Sequence, residues 1–429
     1  MHVFNKTSLP GNQPAFIKNI VTILCIVSCI GFTKPVTAQQ IKDTVVNKAV
    51  SPTLIPGSDG IDAGDFLHQV FKPHKQLTAD TIIAKPKKFY TSIFPAAGYT
   101  LQTGFAVLIG ASVAFYVDTA AKKLSNILTN IAYTQYNQIL FPLSATIWTK
   151  NNRYIILSDY RYLKYPSINY GLGAHTVQSE AYTLNFNYIK LHQSILKKVY
   201  HNLYAGGGIY YDRLWDIREI DPPPGVITSF QKYGSQKIAT AVAIALKVLY
   251  DNRHNQINPT NGAYASIVYR PNYTFLGSDA NWKSLQIDFR KYIKINGNPR
   301  SILALWSFDW LTLKGKPPYL LLPSTGWDDQ YNTGRGYIQS RFRAKNLIYT
   351  EAEYRFGITE NGLLGGVVFV NTQSYSRKFT AQQFVAVVPG FGAGLRIKLN
   401  KHSNTNLAID YGFGQQGSKG LFLNLGEVF

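Results

Sequence analysis

The chain reads as all-β, and more narrowly as a transmembrane antiparallel β-barrel of about 16 strands. Three observations lead there. The first is alternation: from Thr240 to Tyr250, the large residues Val242, Ile244, Leu246, Val248 and Tyr250 interleave with Ala241, Ala243, Ala245 and Lys247. A strand sends successive side chains to opposite faces, so period two separates a lipid-ready face from a small or polar one. The second is composition. Aromatic residues are 14% of the chain, 29 of them Tyr, against 16% charged residues; Tyr and Trp suit a membrane–water interface, where one end of the ring is wet. The third is length, since about 340 residues follow Phe89, and roughly 20 residues per strand and connection gives an even number near 16.

The chain opens on a segment that reads as a secretory signal over residues 1–38. Lys6 and Lys18 supply a basic region, Ile20 to Phe32 an apolar run, and Val36-Thr37-Ala38 a small-residue cleavage site. The run is too short to span a bilayer as a helix. Cys25 and Cys29 both lie in it, so cleavage after Ala38 leaves no thiol or disulfide. Processing as a lipoprotein at Ile26-Val27-Ser28-Cys29 is the alternative. Residues 39–88 are polar and rich in turn formers, with Pro52, Pro56, Gly57, Gly60 and Pro73, and are expected to be a flexible periplasmic segment.

The barrel is expected over residues 89–429. Ala97 to Val117 carries no charge but holds Gly98, Gly104, Gly110 and several β-branched residues, which favours a strand hairpin over a helix. Gly206-Gly207-Gly208 sits inside an alternating run with no helix after it, as a close-packed strand position would. Later, Gln286, Asp288 and Arg290 oppose Leu285, Ile287 and Phe289, and Ser307 and Asp309 oppose Trp306, Phe308 and Trp310. Phe391, Ala393, Leu395 and Ile397 then alternate with Gly392, Gly394 and Arg396, and a last run from Leu421 ends on Phe429.

Between these lies the most distinctive stretch. Trp327 to Asn346 is turn-rich, with Gly334 and Gly336 on either side of Arg335, and reads as a long loop. From Leu347 to Phe356 one face carries Leu347, Tyr349, Glu351, Glu353 and Arg355 and the other Ile348, Thr350, Ala352, Tyr354 and Phe356. In a membrane barrel the charged face would line the lumen.

The ordered set Gly334-Arg335-Gly336-Tyr337, Arg341-Phe342-Arg343, Lys345-Asn346 and Glu351-Ala352-Glu353-Tyr354-Arg355-Phe356 resembles the loop-and-strand motif of the BamA/TamA superfamily, the bacterial surface antigen barrels of outer membranes. The resemblance implies a long loop folded into the lumen, with Arg335 meeting acidic groups on the wall; it points to Glu353, with Glu351 one pleat away. The family's second acid, in an F-x-D-x-G run, corresponds here to Phe369-Val370-Asn371-Thr372-Gln373. Asn371 replaces the acid, so the anchor is expected to rest on one acid, that of the charged face between Leu347 and Phe356. Gly334 stands where a larger apolar residue is usual. Asp251, Arg253, Pro259 and Gly262 resemble the family's D-x-R-x(5)-P-x-x-G turn, and Phe429 resembles the aromatic assembly signal that ends the closing strand. Residues 39–88 are too few for a periplasmic POTRA domain, so a bare barrel with a short tail is expected.

Catalysis finds no support. G-x-S-x-G, H-E-x-x-H, C-x-x-C, P-loop and dinucleotide motifs are all missing from the sequence, and His192 and His201 have no acid or serine at a telling spacing. A barrel lipase would draw its triad from separate strands and leave no local motif. No enzyme activity, cofactor or metal is expected. The formal charge of +21 arises from scattered residues, which fits an anionic membrane surface such as lipopolysaccharide better than nucleic acid. The resemblance implies a monomer in the bacterial outer membrane that assists insertion or translocation of polypeptides, with unfolded outer-membrane proteins as clients. A passive pore or small-molecule channel and a structural barrel contacting lipopolysaccharide are the alternatives.

Overall fold

A computed structural model describes residues 60–66, 89–100, 102–117, 123–329, 332–378, 387–401 and 403–429. The signal segment 1–38, with both cysteines, and most of 39–88 lie outside them. Strands make up most of the described architecture: β1 (Phe89–Thr100), β2 (Gly104–Phe115), β3 (Ser125–Thr134), β4 (Ile139–Trp148), β5 (Tyr154–Lys164), β6 (Ser167–Asn169), β7 (Tyr182–Tyr200), β8 (Leu203–Ile220), β9 (Ala239–Asp251), β10 (Gly262–Asn272), β11 (Trp282–Lys294), β12 (Ser301–Gly315), β13 (Asn346–Gly357), β14 (Leu364–Ser376), β15 (Val387–Asn400), β16 (Thr405–Gly414) and β17 (Lys419–Leu425), with a short helix at Ser229–Tyr233.

Every ladder is antiparallel and joins neighbours in the chain, with one apparent exception: β5 and β6 both pair with β7. Pro166 separates the two and has no N–H to give the ladder, while Tyr165 N still donates to Phe186 O at 2.8 Å. The pair is one interrupted span, so 17 named strands make 16 crossings of the wall. An even number returns the chain to the end from which it entered. The uncharged stretch near Gly104 is the β1–β2 hairpin, in register from Phe89–Phe115 to Thr100–Gly104. The end strands β1 and β17 approach one another, yet no ladder joins them among the described residues.

Alternation gives each strand its two faces. On β9, Ala241, Ala243 and Ala245 are buried inside while Ile244, Leu246 and Val248 are exposed outside. On β11, Asp288 and Arg290 pair inside, Nη2 to Oδ2 at 2.7 Å, and Phe289 faces out. The β7–β8 contact is tight where the glycine run lies: a Cβ on Gly208 would meet Gln193 O at 2.0 Å.

β12 inverts the rule that the polar face looks inward. Trp306 and Phe308 are buried in the lumen, and Ser307 and Asp309 share the outer face with the exposed Leu305 and Leu313. The lumen here is not water. It holds an apolar cluster that includes Trp306, Phe308, Tyr349, Tyr292 and Phe429, so an aromatic ring loses its hydration as fully inside as it would in lipid.

The placement of Phe429 corrects the sequence reading. The closing strand ends at Leu425, Gly426 turns the chain with φ +94°, and Phe429 enters the lumen. Its ring stacks on Trp306 at 5.1 Å and 28°, and Arg355 Nη2 donates to Phe429 O at 2.9 Å. The turn succeeds because glycine tolerates that φ and because the buried aromatic cluster offers more apolar contact than the strand end.

Residues 60–66 are bonded to the same end of the wall. Ile61 N donates to Asn361 O at 3.1 Å, and Lys401 Nζ pairs with Asp65 at 2.8 Å.

Candidate anchoring site of the inward loop

The connection from β12 to β13 folds inside the barrel as a hairpin with its own hydrogen bonds. Thr325 N donates to Phe342 O at 3.0 Å, Ser340 N to Thr325 O at 2.9 Å and Ala344 N to Pro323 O at 3.0 Å. Asp328 Oδ1 accepts from Asn332 N at 2.9 Å and Thr333 N at 2.7 Å, which closes the turn before the tip. Trp327 seats the loop among Tyr165, Phe186 and Tyr188, and its Nε1 donates to Ser340 Oγ at 2.7 Å.

At the tip, Gly334 and Gly336 have φ of +80° and +105°, a region closed to most L-residues. They point Arg335 at the wall. Its guanidinium is 0% exposed. Nη2 donates to both Glu351 and Glu353 of β13, Nη1 donates to Asp410 of β16 at 2.6 Å, and the group lies 3.8 Å from the Phe369 ring centre. A buried guanidinium requires acceptors for its donors, and carboxylates give the strongest bonds. Period two explains Glu351 and Glu353: two residues apart on β13, they face the same way.

The network continues along the wall. Arg355 Nε donates to Glu353 at 2.6 Å. Arg396 Nε donates to Glu427 at 2.7 Å and Nη1 to Asp410. Three guanidiniums, Arg335, Arg355 and Arg396, thus alternate with four carboxylates, Glu351, Glu353, Asp410 and Glu427. Opposite charges interleave, which offsets part of the desolvation cost of each. Among the described residues no group of side chains is arranged to hold a metal ion.

Small residues let the loop lie flat against β15 and β16. A Cβ on Gly412 would meet Gly336 N at 2.6 Å, and one on Gly390 would meet Arg335 O at 2.7 Å. Tyr337, buried beside them, accepts from Gln415 N at 2.9 Å and donates to Pro389 O.

The other residues singled out in the sequence lie in the β9–β10 turn, beside the network, or next to the tip. Asp251 and Arg253 pair twice, Nε–Oδ1 at 3.1 Å and Nη2–Oδ2 at 3.0 Å. Gly262 has φ +100°, and Pro259 O accepts from Arg355 Nη1 at 3.3 Å, so this turn touches the network through Arg355. Asn371, standing where the family has its acid, bonds the loop backbone in place of the guanidinium: its Nδ2 donates to Arg335 O at 2.8 Å. The anchor therefore differs from the single-acid expectation, because Asp410 brings a carboxylate from a strand 75 residues away in the chain. Its signal in the sequence was slight, an acid on the small-residue face of an alternating strand. Asn332, also unremarked in the sequence, ties the loop to the chain end through Nδ2 and Val428 O at 2.7 Å.

This geometry gives Asn371→Asp a definite outcome. The change removes the N–H donor on Arg335 O, sets an acceptor against an acceptor, and adds a fifth carboxylate to three guanidiniums. A cost of about 1–3 kcal/mol is expected. The folded form should dissociate in SDS at a lower temperature than wild type; an unchanged temperature would show that Asn371 does not hold the loop backbone.

Comparison with known proteins agrees with this architecture. The model of the Omp85 superfamily domain matches residues 134–429. CdiB from Acinetobacter baumannii superposes with a TM-score of 0.50 at 13% identity, covering 80% of this chain and 60% of that one. CdiB from Escherichia coli does so with a TM-score of 0.51 at 9% identity, covering 79% and 62%. A BamA from Haemophilus ducreyi lacking POTRA domains 1–3 aligns at 16% identity with a TM-score of 0.48, over 78% of this chain and 68% of that one. The chain thus spans less than two thirds of the two CdiB chains. No curated protein sequence matches it.

Proposed function

Because the chain belongs to the Omp85 superfamily, we propose that it sits in the bacterial outer membrane and assists the insertion of outer-membrane proteins or the translocation of polypeptides. The observation that carries this reading is the seam. β1 and β17 lie side by side with no ladder between them among the described residues, and β17 has 7 residues against 12 in β1. Unpaired strand edges are templates for an incoming strand. A client could add to one edge at little cost in broken hydrogen bonds. The Arg335 network supports the same reading, because it braces β13 and β16 against the loop and would keep the wall beside the seam rigid while the seam opens.

A passive channel is less favoured, since the loop fills the lumen and leaves a cavity of about 190 Å³, lined in part by Asp159, His192, Lys247 and Arg290. The scattered cationic excess suits contact with lipopolysaccharide phosphates. The test is depletion of the protein followed by quantitative proteomics of the outer membrane. A fall in a set of barrel proteins is expected. Unchanged barrel levels, together with a stable conductance of the purified protein in planar bilayers, would favour the channel instead.

A further inference from the structure

The outer wall of β12, β13 and β14 carries a polar row that the barrel itself leaves unsatisfied. Ser307 pairs in register with Thr350, and Thr350 with Thr372. All three share the outward parity of the exposed Leu305, Tyr354 and Val370, so three hydroxyls cross three adjacent strands in one line. Two residues beyond Ser307, Asp309 faces the same way, flanked across the ladders by Ile287 and Ile348. Asp309 Oδ1 and Thr372 Oγ1 are covered and have no hydrogen-bond partner among the described residues.

Depth makes this costly. The stacked pair Tyr354 and Phe356 marks the lower aromatic edge of this face. Ile348, opposite Asp309, is six residues from Tyr354, roughly 20 Å along a strand and about 15 Å in height at the usual tilt. The exposed Leu313 lies beyond Asp309 on the other side. Asp309 is therefore within the apolar band, where lipid tails offer no donor and ionisable groups are rare.

The rest of the wall shows what a satisfied polar patch looks like. On the outer face of β5 and β7, Ser158 Oγ donates to Gln193 Oε1 at 2.8 Å, Tyr160 donates to the same oxygen, and Gln193 Nε2 donates to Leu157 O at 3.0 Å. Every other strand carboxylate among the described residues also has a partner, from Asp159 and Asp212 inside to Asp216 and Glu219 near the strand ends. Asp309 alone has none.

We propose that this face is an intramembrane interface with a second copy of the same chain. The argument is self-complementarity. A two-fold contact sets one patch against itself, so residue i meets j and j meets i. With Asp309 Oδ1 and Thr372 Oγ1 covered within the chain, the patch offers a partner the second carboxyl oxygen of Asp309 as acceptor and the hydroxyls of Ser307 and Thr350 as donors, and a two-fold partner sets each Asp309 against the hydroxyls of the other copy. Within hydrocarbon such bonds replace no bond to water. The small side chains of Ser307, Thr350 and Thr372, with Ala352 beside them, permit close approach of the two walls. The monomer expected from the sequence is replaced by a dimer in this reading, which does not depend on what the barrel transports.

Site-directed cross-linking of the full chain in native membranes tests it. Ala352→Cys, on the outer face of β13, is treated with a short bis-maleimide, with Ile267→Cys on the outer face of β10 as the control position. The unsubstituted chain, which carries Cys25 and Cys29, sets the background. An adduct of twice the chain mass is expected from Ala352→Cys and none from Ile267→Cys. Adding Asp309→Leu should lower the dimer yield by roughly tenfold, while Asp309→Asn, which keeps an acceptor and adds a donor, should hold it within about twofold. Heat-dependent migration in SDS checks that each variant is folded. No adduct, an adduct of any other mass, or a dimer yield indifferent to Asp309→Leu in folded protein would overturn the proposal.

Discussion

Replacing Arg335 with alanine is expected to release the loop from the lumen and expose its tip to protease. The guanidinium is fully buried and bonded to Glu351, Glu353 and Asp410. Without it those carboxylates remain buried, close together and short of one cation. Breaking a buried pair by removing one partner costs on the order of 3–5 kcal/mol, and any lumen water admitted would reduce the figure toward the ~0–1 kcal/mol of exposed pairs. Glu353→Ala should cost less than Arg335→Ala, because Glu351 and Asp410 still face the guanidinium. The double substitution should cost less than the sum of the two, as directly bonded groups do not act independently. Arg335→Lys should restore the loop only in part, since one ammonium cannot reach carboxylates on both β13 and β16 with a planar fork. The measurement is cleavage near Tyr337 in intact cells. If wild type is cut as readily as Arg335→Ala, the loop is not held inside by this residue.

Phe429→Ala should lower barrel stability sharply. The Phe429 ring is 3% exposed, stacks on Trp306 and lies under the Arg355 guanidinium at 5.5 Å. Truncating a buried Phe costs about 3–5 kcal/mol, through lost transfer energy and the cavity left behind. Arg355 would lose a face it packs on, and the Val428–Asn332 bond would loosen with it. The folded, fast-migrating form in SDS electrophoresis should therefore disappear at a markedly lower temperature, and outer-membrane levels should fall. Phe429→Leu should recover part of the loss by refilling volume. A folded form as heat-resistant in Phe429→Ala as in wild type would mean that the buried ring does not stabilise the barrel, and would leave only the strand-end assembly role expected from the sequence.

Much of the barrel was legible from period two alone. The alternation of β9, β11 and β15 fixes which residues share a face, the count of residues after Phe89 matches 16 crossings, and the glycines and β-branched residues around Gly104 mark a hairpin rather than a helix. The charged face of β13 was equally plain, because Glu351, Glu353 and Arg355 are two residues apart and must point together. The flanking glycines of Arg335 announced a backbone turn that other residues would resist.

What the sequence could not decide on every strand was which face looks inward, and nowhere what meets there. Alternation reports a shared face without a direction, and hydropathy supplies the direction only when one side is water. In this barrel the loop and the chain end fill the lumen, so inside and outside are both poor in water. That is why Trp306 and Phe308 turn in, Asp309 turns out and Phe429 leaves the closing strand. Asp410 joined the Arg335 site for a related reason: the strand that carries it is distant in the chain, and only the curl of β13 to β16 around the loop brings its carboxylate to the guanidinium.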